Sequence, residues 1–345
     1  MSASPRLRSD LLGTALFSAA VGWTVVVGRW AEGSMEPAVA ALLASAAALV
    51  IARLVTHRAR PIVPVTLATI ASVLLIVNLG DVVTGAPLGG PFGYANATGA
   101  FFAQAVVAGL MLSAASERSW AKVLGIAAAT LFAAVPFVVG SIAPGVLAVL
   151  GIVMVVGLVP KVVVGLCGGL VGGALVVSLL LGANYRGGDR SSLIDRVVDA
   201  SITERRVALW HEALGLMVEH PVTGVGAGRF AVMSETARSD ADAGWAHSEF
   251  LQQGAETGIT GMLLLVSLLA WGFARLWVVE TPDIVTALGA VALATLGVQA
   301  CIDYVLHFPV VPLAAAAVVG AAQAPRLTER GRRSPRTVKR SESVR

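Results

Sequence analysis

Charge is what this sequence lacks most. Asp, Glu, Lys and Arg make up only 13% of its 345 residues, where a soluble domain carries roughly a quarter. That excludes an ordinary soluble chain of this length, and a 56% hydrophobic share with a mean hydropathy of +0.80 agrees. Cysteine is nearly missing too. Cys167 and Cys301 both lie in apolar runs, which excludes a disulfide framework and leaves no metal-ligand spacing. There is no internal repeat and no low-complexity tract. A cleavage signal is also lacking: Arg6 and Arg8 precede an apolar stretch that runs on through Val27 with no small-residue site. That stretch is expected to stay as a first membrane span.

Uncharged runs of ~18 or more residues read as membrane-spanning helices. The pattern predicts an all-α polytopic membrane protein of about ten transmembrane helices, near 11–28, 37–55, 62–83, 97–115, 123–140, 143–160, 162–183, 259–277, 284–304 and 308–324. One large extracytoplasmic helical loop, 184–258, separates spans seven and eight. Residues 1–10 form a short cytoplasmic N-terminus and 325–345 a basic cytoplasmic tail. The orientation follows from lysine and arginine in short loops. Arg58, Arg60, Arg118, Lys122, Lys161, Arg275 and the tail then fall inside, and both termini are cytoplasmic. The net charge of +4 is concentrated in that tail (Arg326, Arg330, Arg332, Arg333, Arg336, Lys339, Arg340, Arg345), which reads as an anchor on anionic lipid rather than a nucleic-acid site. Gly168–Gly169 and Gly172–Gly173 have small-xxx-small spacing, expected to mark close helix packing. Asp81 and Asp303, near outer span ends, are expected to be solvated at the membrane edge.

Residues 184–258 hold about half of the acidic residues and carry the polar motifs. Ser201 or Thr203 can cap a helix from Glu204, along which Val207, Trp210, Leu214 and Met217 form one apolar face. Arg206 shares a side with Trp210, four residues on. The helix must stop at His220–Pro221, because proline disfavours helix in the residue before it. Gly224, Gly226 and Gly228 then make a turn. Trp245 and His247 precede a short helix that leads into span eight, with Gly258 and Gly261 at the re-entry. A histidine just above the membrane can move a proton near neutral pH. Arg205, Arg206 and Arg229 offer permanent positive charge suited to phosphate. Solvation and headgroup contact are the bland readings of all four.

The run Arg206-Val-Ala-Leu-Trp210, then His220-Pro221-Val-Thr-Gly224-Val-Gly226, then His247-Ser-Glu-Phe-Leu-Gln-Gln with Ala255-Glu256-Thr-Gly258, resembles the O-antigen ligase and polymerase superfamily. Two outlying stretches are similar as well: Gly90-Pro-Phe-Gly-Tyr94-Ala-Asn96, and Asp303-Tyr-Val-Leu-His307-Phe-Pro309. The resemblance implies a membrane glycosyltransferase of the bacterial cytoplasmic (inner) membrane. It would move a glycan from an undecaprenyl-diphosphate donor to an acceptor hydroxyl on a glycan, lipid or protein, with inversion and with neither cofactor nor metal. Arg206 would contact the diphosphate, helped by Arg205 and Arg229, and His247 would deprotonate or orient the acceptor. Trp210, Glu249, Glu256, His307 and Asn96 would support them. Family members often carry a Ser-Arg pair near the start of a central span. Here Gly140-Ser-Ile-Ala-Pro144 has no arginine, so a second diphosphate contact would come from Arg229, Arg186 or Arg190. Two other classes stay open: a polysaccharide transporter or flippase, and a non-catalytic envelope-assembly subunit.

Overall fold

The computed structural model describes residues 5–31, 33–84, 90–185, 204–239 and 244–324. Every regular element among them is helical: α1 (Pro5–Trp30), α2 (Glu36–Arg58), α3 (Ile62–Val77), α4 (Leu79–Thr84), α5 (Ala95–Ala115), α6 (Ser119–Val138), α7 (Ile142–Gly157), α8 (Pro160–Ala183), α9 (Glu204–Glu219), α10 (Phe230–Met233), α11 (Glu235–Ser239), α12 (Glu249–Trp277), α13 (Ile284–Ile302), a 3-10 turn (Val305–His307) and α14 (Val310–Ala322). All-helical architecture is what lipid demands, since a helix satisfies its own backbone polar groups where no water reaches.

Seven helices (α1, α2, α5, α6, α8, α12 and α13) are long and apolar enough to cross a membrane. Expected spans three, six and ten correspond to the shorter apolar helices α3, α7 and α14. At about 1.5 Å per residue, their 16, 16 and 13 residues reach only about 20–24 Å, less than the ~30 Å hydrocarbon core. Span three is also corrected in its course. It is broken at Asn78, which caps α3, and α4 follows as a separate short helix carrying the exposed Asp81.

Burial divides the bundle into a centre and a rim. In α5 and α13, 83% and 89% of the apolar window is buried, against 11% in α2. Both central helices carry no charged residue. Exposed Ile76, Val77, Val156 and Leu180 on the rim helices form the apolar surface a bilayer would cover. Small residues allow close approach where α5 crosses α6: a Cβ on Gly125 would lie 2.6 Å from the Gly109 carbonyl. The expectation for the paired glycines of α8 is corrected. A Cβ on Gly169, Gly172 or Gly173 would meet nothing within 4 Å, and one on Gly168 only ordinary contact with Phe273.

The polar segment sits on one end of this bundle. Helix α9 spans Glu204–Glu219 and stops before Pro221, while the candidate caps Ser201 and Thr203 lie outside the described residues. Its apolar stripe docks on α8 and α12, with Trp210 and Leu209 fully buried. Helix α12 then breaks at Gly258 (φ 72°, ψ 179°), where the loop was expected to re-enter the membrane. A Cβ there would lie 2.2 Å from the Val222 carbonyl oxygen. The break frees backbone groups that need partners, and the preceding loop supplies them. Ile259 N donates to the Pro221 carbonyl (2.9 Å), while Val225 N and Gly226 N donate to the carbonyls of Ala255 (2.8 Å) and Glu256 (2.9 Å). The Trp23 indole on α1 donates to the Thr257 carbonyl (2.8 Å). The Gly224 turn (φ 63°) lets the loop lie directly on the Ala255–Thr257 backbone.

Candidate functional site

The site gathers on Asp303, the residue that caps the C-terminus of α13. Expected to be solvated, it is 3% exposed; this correction has a clear cause. Burial of a carboxylate requires compensating donors and charge, and five groups converge. The Tyr94 hydroxyl donates to both oxygens (2.8 Å each). Asn96 Nδ2 donates to Oδ2, and Tyr304 N donates to Oδ1 (2.8 Å). His247 Nδ1 lies 3.1 Å from Oδ1, and Arg206 Nη2 lies 3.5 Å from Oδ2. Burial alone would push the Asp303 carboxyl up, but the His247 hydrogen bond and the Arg206 charge outweigh it and hold it below the usual range. The Tyr94 phenol is pushed upward by burial and by Asp303, so it remains a donor.

Each partner is fixed by its own element. Arg206 rides on α9 and also donates to the Ile302 carbonyl (3.1 Å). Asn96 sits in the first turn of α5, and its Oδ1 accepts from the Ser141 hydroxyl (2.7 Å) at the start of α7. The serine of Gly140-Ser-Ile-Ala-Pro144 therefore belongs to the cluster even without the arginine. His247 adopts φ 49°, the one left-handed non-glycine residue among those described. Such backbone costs about 1–3 kcal/mol unless its surroundings enforce it. Here the buried Trp210 indole donates to the His247 carbonyl (3.1 Å), and Ser248 begins α12 as its cap, accepting from Leu251 N. The His247 side chain is 14% exposed. With Nδ1 on the carboxylate, Nε2 is the ring nitrogen left for a proton acceptor role.

A second cluster adjoins the first. His307 Nδ1 lies 3.1 Å from Glu249 Oε1, and Leu306 N donates to the same oxygen (2.7 Å). Burial would lower the His307 pKa, but the charge of Glu249 and its hydrogen bond raise it above the ordinary value. Trp245 joins the two clusters: its ring lies 4.0 Å from His307 and stacks on Tyr304 at 5.7 Å. Tyr304 stacks in turn on Tyr94 at 4.7 Å and meets His247 edge-on at 4.9 Å. Glu256 accepts from Gly228 N (2.8 Å), Phe230 N (3.2 Å) and Gln252 Nε2 (3.1 Å), pinning the glycine loop to α12.

Below these clusters runs a cavity of about 220 Å³ between α1, α2, α12 and α14. Trp245, Glu249, Glu256 and His307 line its polar end, and Ala41, Leu42, Leu264, Leu265, Leu268 and Pro312 its apolar length.

Of the residues expected from sequence, Arg206, His247 and Asn96 meet at Asp303, and Trp210 holds the His247 backbone. Glu249 and His307 form the adjoining pair, and Glu256 braces the loop. Arg229 is exposed and reaches the Ala31 carbonyl (3.3 Å), not Asp303, while Arg205 is exposed on the first turn of α9. Arg186 and Arg190 lie outside the described residues. Asp303 and Tyr94 are the residues that sequence reasoning passed over as site members. The signal for Asp303 was a lone ionisable residue at the end of an uncharged span, a pattern that favours function over solvation.

An all-helical bundle with a buried carboxylate–histidine–arginine cluster at one end of its apolar helices defines a multi-span membrane protein. The chain belongs to the O-antigen ligase family, whose pattern matches residues 92–266, just over half of its length. The matched stretch includes Asn96, Arg206, Trp210, Arg229, His247, Glu249 and Glu256, whereas Asp303 and His307 lie beyond it. No curated protein matches the chain. Family membership implies an activity of the ligase or glycosyltransferase kind on lipid-linked glycan.

Proposed function

We propose that this chain transfers a glycan from an undecaprenyl-diphosphate donor to an acceptor hydroxyl at the outer face of the bacterial cytoplasmic membrane, with both termini cytoplasmic. The observation that carries this reading is the shared carboxylate. Asp303 holds the expected base, His247, at 3.1 Å and the expected diphosphate ligand, Arg206, at 3.5 Å.

On this reading Asp303 fixes the His247 tautomer, leaving Nε2 to take the acceptor proton and stabilising the imidazolium that forms. Oxygen attack at the anomeric carbon then proceeds with inversion as the diphosphate leaves with the bonding pair. Two of Arg206's N–H donors are engaged with Ile302 and Asp303. The rest of its five can stabilise the charge growing on the diphosphate, the step that needs most help when the leaving group is already good. The site needs no metal for either task. The apolar cavity beneath fits the lipid end of such a donor, and the Trp245–Tyr304 stack at its polar end suits the face of a sugar.

The test is deletion of the gene followed by envelope-glycan analysis, with rescue by wild type and by His247→Ala. Short lipid-linked units should accumulate if the chain polymerises, and full-length lipid-linked polymer if it ligates; His247→Ala should rescue neither. Unchanged glycans after deletion, or full rescue by His247→Ala, would overturn the proposal.

A further inference from the structure

At the opposite end of the bundle lies a second cavity that the transfer reading does not use. It is formed by the C-terminal turns of α2, α5, α12 and α14 and the first turn of α13, and it has a volume of about 70 Å³. Arg53, Arg60 and Arg275 line it, with Thr56, Asp283 and Gln323. Asp10 of α1 lies behind, bridging Arg53 (2.7 Å) and Arg275 (3.1 Å). Asp10 thus serves both Arg53 and Arg275, while Arg60 has no carboxylate partner among the described residues, and its positive charge is in surplus.

The polar lining is also unmet. Gln323 is 6% exposed, yet neither its Nε2 nor its Oε1 has a hydrogen-bond partner among the described residues. The buried Thr56 hydroxyl lacks one as well. Leaving buried polar atoms without a partner is costly, so a stable protein is expected to fill this space with something polar. A water needs only about 10–15 Å³ of such volume, so there is room for a group several times larger. Water would meet the amide but leave the charge surplus. The required ligand must bring negative charge for the arginines, an acceptor for Gln323 Nε2 and a donor for Gln323 Oε1.

We infer that this cavity binds a hydroxyl-bearing phosphate ester of the glycerol phosphate type, seated between Arg60, Thr56 and Gln323. A phosphate is matched by guanidinium groups, and the glycerol hydroxyl supplies the donor that a bare anion lacks. The chemistry has two sources, the headgroup of phosphatidylglycerol in the facing leaflet or free glycerol phosphate. Bound there, the ester ties α2 to α12 and α14 beside the Asp10 link to α1.

The full chain, purified in detergent, is titrated with phosphatidylglycerol, with phosphatidylcholine and with sn-glycerol phosphate, following thermal unfolding and intact-complex mass spectrometry. A one-to-one phosphatidylglycerol complex with raised Tm is the expected result. Loss of one charge-assisted hydrogen bond should weaken it about tenfold or more in Arg60→Gln and in Gln323→Leu. Arg60 is on the exposed rim, so its variant reads out binding even where Gln323→Leu fails to fold. An equal shift with glycerol phosphate supports the site and assigns it to the free ester. Equal binding of phosphatidylcholine, no stoichiometric complex with either ester, or undiminished affinity in Arg60→Gln would overturn the inference.

Discussion

Replacing Asp303 by Asn keeps the shape of the side chain and removes the charge at the centre of the site. Two partners lose the charge on their acceptor, the Arg206 guanidinium and the His247 Nδ1–H, and a hydrogen bond to a charged group is worth about 1 kcal/mol more than a neutral one. The new amide also turns an N–H₂ towards the Tyr94 hydroxyl and either Asn96 Nδ2 or Tyr304 N, all of which donate. At least one of these donors is stranded, at a further cost of about 1–3 kcal/mol. The variant should therefore be about 3–5 kcal/mol less stable by thermal or denaturant unfolding. Its folded fraction should transfer glycan about 10²–10⁴-fold more slowly, the range general-base catalysis supplies, because the Asn amide can either accept from Nδ1–H or donate to a bare Nδ1 and no longer fixes the tautomer. The assay is turnover of a lipid-linked glycan by folded protein isolated by size exclusion. Asp303→Asn turning over within about threefold of wild type would refute the role given to the carboxylate.

Other consequences follow from the same geometry. Arg206→Lys retains the charge but cannot hold Ile302, Asp303 and a diphosphate together; donor turnover should fall at least tenfold while the unfolding temperature changes little. Gly258→Ala places a Cβ 2.2 Å from the Val222 carbonyl in a left-handed backbone, and should cost about 2–4 kcal/mol in an unfolding experiment. The raised His307 pKa gives a pH signature. The His307–Glu249 pair contributes fully below the unfolded-state value of about 6.5 and is lost as pH rises through the folded-state value. The unfolding temperature should accordingly decline across that window in wild type and not in His307→Gln. Ala41→Trp, which fills the apolar length of the 220 Å³ cavity, should raise KM for a long polyprenyl donor more than for a short-chain analogue.

What was legible in the sequence followed from forces that act locally. Uncharged runs announced the apolar helices, seven of them long enough to span, and Pro221 fixed the end of α9. Gly258 marked the break in α12, because only glycine tolerates that backbone with Val222 against it. Relations set by packing were not visible. Nothing in the spacing of Gly168 to Gly173 shows that α8 leaves them facing open space, while Gly109 and Gly125, without a motif, bring α5 and α6 into backbone contact. The break at Asn78 likewise lies inside a run that reads as one span. At the site, motif order singled out Arg206 and His247, 41 residues apart in chain number. Their meeting point, Asp303, comes from another helix end. Its burial depends on Tyr94 and Asn96 arriving from α5, a long-range relation that no local pattern carries.

The most direct test of the account is the reaction itself. Purified wild-type chain in detergent or nanodiscs is supplied with an undecaprenyl-diphosphate-linked glycan and an acceptor, in the presence of a chelator. Released undecaprenyl diphosphate and the anomeric configuration of the new bond are measured beside His247→Ala. The account predicts one undecaprenyl diphosphate per bond formed, an inverted anomeric centre, and loss of at least about 10²-fold in rate without His247. Release at the wild-type rate by His247→Ala, or a retained configuration, would contradict it.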